Sequence, residues 1–94
     1  MANLASLHAV VRGRVQGVSF RAFVVERANE LGLTGEVRNL PSGQDVEVWA
    51  EGNKEKLEEL VKYLEVGPPA ARIEKVTAVW SKYQGKYSRF KIRY

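Results

Sequence analysis

The chain has 94 residues, with 15 lysines and arginines against 11 aspartates and glutamates, one histidine and no cysteine. That length suits a single domain, residues 1–94, with one core, and the missing cysteine excludes a disulfide framework and a thiolate metal site. A formal charge of +4 draws small anions to the surface without requiring nucleic acid as a partner.

The opening Met1-Ala2-Asn3-Leu4-Ala5 lacks the basic region and long apolar block of a leader, and nothing approaches membrane-spanning length. The expectation is a cytoplasmic protein with no membrane partner, a monomer by default. Residues 7–12 alternate roughly and carry β-branched side chains, which predicts a strand partly buried on both faces. Gly13-Arg14-Val15-Gln16-Gly17-Val18-Ser19-Phe20-Arg21 then leads into a helical pattern, with Phe20, Phe23, Val24, Ala28 and Leu31 inward and Glu26, Arg27 and Glu30 facing away. Gly32 is the expected stop. Thr34 to Leu40 reads as a short strand, Pro41-Ser42-Gly43-Gln44 as a turn, and Asp45 to Glu51 as the second arm of a hairpin.

Asn53 is a good N-cap for a second helix, in which Leu57, Leu60, Val61 and Leu64 stand at i, i+3, i+4 and i+7. Gly67-Pro68-Pro69 ends it, a strand follows from Ile73 to Tyr83, and Phe90 to Tyr94 forms a last extended piece. Two helices with one apolar stripe each should cover one face of an antiparallel sheet. This is the α+β, ferredoxin-like split βαβ sandwich, βαββαβ plus a short C-terminal strand.

The chemistry concentrates at the first strand-to-helix connection. Gly13 and Gly17 are expected to bend the backbone and leave its N–H groups uncovered. Together with the free donors of the first helical turn, those groups converge on one small space suited to an anion. Arg21 adds a fork-shaped, permanently charged guanidinium that matches two oxygens of a phosphate or carboxylate. Asn39, at the end of the next strand, carries an amide that can donate one hydrogen bond and accept another, which is what holding a water requires.

Gly13 to Arg21, followed by Gly35-Glu36-Val37-Arg38-Asn39, resembles the paired signature of the acylphosphatases, and the likeness extends to Val46-Glu47-Val48, Ala50-Glu51-Gly52 and Gly67-Pro68-Pro69-Ala70. The resemblance implies hydrolysis of the carboxyl–phosphate bond of acyl phosphates to a carboxylate and inorganic phosphate, without metal, cofactor or covalent intermediate. It implies a phosphate site formed by the backbone amides of Val15, Gln16, Gly17, Val18, Ser19 and Phe20 together with Arg21. It gives Asn39 the task of orienting the attacking water. Two departures stand out: Glu36 occupies a position that is usually aromatic, and the turn Pro41 to Asp45 is one residue longer than usual, without the customary Asp-Gly pair.

Other readings lie beside this one. Ser19 has no evident base partner, His8 reads as a surface residue within a strand, and Trp49, Trp80 and Tyr83 read as sheet packing. The alternatives are a non-catalytic phosphate- or anion-binding module, a carbamoyl-phosphate-handling module, or an RNA-binding ferredoxin-like domain. The last lacks aromatics on its first strand, and no nucleic acid is expected.

Overall fold

A computed structural model describes residues 3–94; Met1 and Ala2, which entered the reading of the N-terminus, lie outside the described residues. The elements are β1 (Leu4–Arg14), α1 (Phe20–Glu30), β2 (Thr34–Asn39), β3 (Asp45–Asn53), α2 (Lys54–Val66), β4 (Arg72–Lys82) and β5 (Phe90–Ile92). They form one five-stranded sheet in the order β4-β1-β3-β2-β5. The crossover through α1 joins β1 to β2 with β3 between them, and the crossover through α2 joins β3 to β4 around β1. This is the expected ferredoxin-like plan.

The core lies between the helices and one sheet face. Alternation along β1 turns Ala5, Leu7, Ala9 and Val11 toward the helices, and Val46, Val48 and Ala50 of β3 do the same. Leu57, Leu60 and Leu64 of α2 meet them fully buried, while Lys54, Glu55, Glu58, Glu59 and Lys62 are exposed. Asn53 caps α2 as expected, its side chain accepting from the N–H groups of Glu55 at 2.9 Å and Lys56 at 3.2 Å. Helix α1 buries Phe20, Val24 and Ala28. It closes with paired bonds from Leu33 N–H to Ala28 C=O and from Gly32 N–H to Asn29 C=O, at 2.9 and 3.1 Å.

The structure differs from the expectation at two places outside the site. Arg27, read as facing away, has its guanidinium 5.6 Å from the ring centres of both Phe23 and Tyr63 and bonds to Glu26 and Glu30. Its apolar stem and planar head let it cover the α1–α2 contact while its charge stays paired. The sheet is also mixed rather than wholly antiparallel, because β5 runs parallel to β2, pairing Gly35 with Phe90 and Val37 with Ile92. The cause is the connection 83–89, which crosses the face away from the helices and delivers the chain to the opposite edge. Glu51, 3% exposed, holds that connection by accepting from the N–H groups of Gln84 at 2.8 Å and Lys86 at 2.7 Å and from the Ser6 hydroxyl.

Candidate active site

Strand β1 ends at Arg14, so the connection to α1 consists of Val15 to Ser19. Gly13 does not take part in the turn, contrary to expectation. It lies within β1, where the register against β4 shifts between Arg12 and Gly13. A Cβ there would stand 2.1 Å from the Arg72 carbonyl oxygen, and φ is +142°, so the close approach of β4 requires glycine. Its N–H donates to Gln44 C=O at 3.0 Å, tying the strand end to the 41–44 turn.

The bend itself is made by Gly17 at φ +73° and Ser19 at φ +62°, the one non-glycine residue with positive φ among those described. Ser19 occupies the N-cap position of α1, yet its side chain accepts no capping hydrogen bond, and the first turn carries no acidic residue. The first helical bond runs from Phe23 N–H to Ser19 C=O at 3.0 Å. The N–H groups of Phe20, Arg21 and Ala22 therefore have no intrahelical acceptor. The local fold leaves a helix N-terminus with its donors and its dipole directed outward.

A concave pocket of about 130 Å³ opens there, lined by Val15, Gly17, Ser19, Phe20, Arg21, Ala22 and Ile92. Five of the seven expected phosphate-site residues thus share one surface. Gln16 and Val18 do not line it: Val18 packs on the core, and Gln16 turns toward the hairpin. Among the described residues Arg21 forms no ion pair; its guanidinium carbon lies 5.1 Å from the centre of the Tyr94 ring. A cation beside an uncapped helix N-terminus opposes the dipole, and an anion between them relieves both.

Asn39 is the last residue of β2, opposite Val46 of β3. It does not line the pocket. Its Oδ1 is buried and accepts no hydrogen bond among the described residues, a costly state that a bound donor would relieve. The longer turn leaves Asn39 within the strand, since Leu40 N–H donates to Asp45 C=O at 2.9 Å and closes the hairpin beyond it. Asp45 anchors that turn. Its carboxylate accepts from the Ser42 hydroxyl at 2.7 Å and from two Arg12 nitrogens at 3.1 and 3.2 Å, and these bonds hold its pKa below the ordinary value.

Sequence reasoning missed three contributors. Gln16 was counted for its backbone alone, yet its side-chain amide donates to the carbonyls of Leu40 and Asp45, both at 2.9 Å. Ile92 and Tyr94 reach the site because β5 pairs with β2, and no local pattern announces that long-range pairing. The remaining candidates stand away from the pocket. His8 lies on the outer sheet face, bonded to Glu47 at 2.8 Å with its ring centroid 4.0 Å from that of Trp49, and it offers Ser19 no base. Burial raises the Glu47 carboxyl pKa, but the bonds from His8 and Arg38 outweigh it and bring the value below the ordinary one. Glu36 bonds to Arg93 at 3.1 Å, so the acidic departure at this position ties β2 to the residue after β5.

The split-βαβ sandwich, with an uncapped helix N-terminus at its first strand-to-helix connection, defines a ferredoxin-like α+β class of protein. The family model described as acylphosphatase matches residues 7–92. An acylphosphatase of Dehalococcoides mccartyi is 51% identical over 88 residues, covering 94% of this chain and 97% of that protein. One from Anaeromyxobacter sp. is 48% identical over 94 residues, covering all of both chains. The crystal structure of acylphosphatase from Bacillus subtilis superposes with a TM-score of 0.91 at 34% identity, covering 96% of this chain and 99% of that one. The chain belongs to the acylphosphatase family.

Proposed function

We propose that this enzyme hydrolyses acyl phosphates, with the amides of Val15 to Phe20 and Arg21 holding the phosphate and Asn39 orienting the attacking water. The observation that carries the reading is the uncapped N-terminus of α1 with the unpaired Arg21 beside it. Family membership supplies the reaction class. The substrate is a small acyl phosphate, and the products are a carboxylate and inorganic phosphate. Residues 1–94 act as one domain, and the enzyme works as a cytoplasmic monomer. No helix among the described residues is long and apolar enough to cross a membrane.

The water oxygen forms a bond to phosphorus as the bond from phosphorus to the carboxyl oxygen breaks, and the carboxylate leaves with that electron pair. One water O–H donates a hydrogen bond to Asn39 Oδ1, which has no competing donor among the described residues, and keeps its proton on the attacking oxygen, while the other proton passes to a phosphate oxygen. A mixed anhydride has a good leaving group, so positioning and charge stabilisation carry the catalysis. The amides and Arg21 each act through charge-assisted bonds of about 1.5–3 kcal/mol. An RNA-binding reading has less behind it, because β1 and β3 present Trp49 alone among aromatics on the outer face and His8 stacks on that ring.

The test is hydrolysis of benzoyl phosphate with chelator present. Wild-type turnover, lost by about 100-fold or more in both Arg21→Ala and Asn39→Ala, is the expected result. Retention of most activity in either folded variant would remove that residue from its assigned role.

A further inference from the structure

We infer that the side chain of Gln16 is a positioning residue that fixes Asn39 relative to the anion cradle; this rests on the reading just given. Its backbone belongs to the loop whose amides face the phosphate, one residue before Gly17. Its side-chain Nε2 spends both protons on the far side of the site, on the carbonyls of Leu40 and Asp45, each at 2.9 Å. Leu40 directly follows Asn39, and Asp45 begins the strand that pairs with β2. The two acceptors are therefore the two feet of the 41–44 turn, and one planar amide spans them. Leu40 N–H also donates to Asp45 C=O at 2.9 Å, so the three groups form one closed unit.

Catalysis requires the water and the phosphorus to be held in line by parts of the chain more than 15 residues apart. Misplacing reacting groups by about 1 Å costs on the order of 100-fold. Among the described residues the side-chain bonds that join the cradle loop to the Asn39 strand end are these two, since Gly13 ties only the preceding strand to Gln44. Gln16 is half-buried and does not line the phosphate pocket, so its side chain acts on the water holder and not on the anion.

The variants are Gln16→Met, which keeps the length and removes both donors, and Gln16→Asn, which keeps the donors one methylene short. Benzoyl phosphate kinetics, competitive inhibition by inorganic phosphate and far-UV circular dichroism are measured for each, alone and with Asn39→Ala. The expected result is kcat lowered by about tenfold or more in folded protein, with KM and the phosphate inhibition constant within about threefold of wild type. In the Asn39→Ala background Gln16→Met adds less than about a twofold loss, because its effect runs through Asn39. An unchanged kcat, an additive loss on Asn39→Ala, a loss confined to KM and phosphate affinity, or unfolding of both variants would overturn the inference. A wild-type protein without acyl-phosphate hydrolysis would sink the enzyme reading itself. An inactive Asn39→Ala beside a fully active Gln16→Met would sink this inference alone.

Discussion

Arg21 stands where the peptide dipoles of α1 oppose a cation, and no carboxylate among the described residues pairs with it. Ser19 beside it adopts a left-handed conformation at φ +62° that costs a non-glycine residue free energy. Both features act against stability and both belong to the proposed anion site. Arg21→Ala should therefore leave the melting temperature unchanged or slightly raised in phosphate-free buffer, and it should abolish the stabilisation that added phosphate gives wild type. Thermal melts of the two proteins with and without phosphate check this. A large destabilisation without phosphate would make Arg21 a structural residue. Residue type and spacing name Arg21 as an anion partner and Asn39 as an amide able to hold a water, and the resemblance to the acylphosphatases is what gives them their roles. The Gln16 bridge was not legible, since nothing local ties a loop glutamine to carbonyls 24 and 29 residues away.

At the scale of elements, α2 was the most readable part of the chain. Its cap, its apolar spacing and its Gly-Pro-Pro stop agree with one another, and each is a local signal. Asn53→Ala removes the oxygen that accepts from two helix N–H groups and should cost about 1 kcal/mol in urea unfolding, with activity unchanged because α2 does not line the pocket. Gly13→Ala should cost more than about 1 kcal/mol, because its Cβ meets backbone of β4 that cannot move aside. An equal stability of Gly13→Ala and wild type would contradict the bulge. Its place between a strand pattern and a helical one reads Gly13 as a turn glycine, and the sequence does not distinguish a bend from a close approach of another strand. The parallel pairing of β5 was likewise invisible, since three extended residues state a conformation and no partner.

For the molecule as a whole, three carboxylates tie the sheet's outer face together. Asp45, Glu47 and Glu51 each have a pKa below the ordinary value: Asp45 through Ser42 and Arg12, and the other two because their bonds outweigh the opposing effect of burial. Groups with lowered folded pKa values stabilise the protein above the ordinary carboxylate pKa of about 4, and that stability is lost as pH falls through the folded values. The melting temperature should therefore fall steeply from about pH 5 downward. Glu51→Gln should flatten that slope while lowering stability at neutral pH, because the neutral amide accepts the Gln84 and Lys86 N–H groups less strongly. A slope unchanged by Glu51→Gln would remove this carboxylate from the acid response.

In the proposed reaction water held at Asn39 attacks phosphorus while the cradle holds the phosphate. Single-turnover hydrolysis of benzoyl phosphate in ¹⁸O-labelled water tests it most directly. The expected result is one labelled oxygen in inorganic phosphate and none in benzoate, with turnover lost in Asn39→Ala. Label in the benzoate would place the attack at the carbonyl carbon and contradict the geometry on which the mechanism is built.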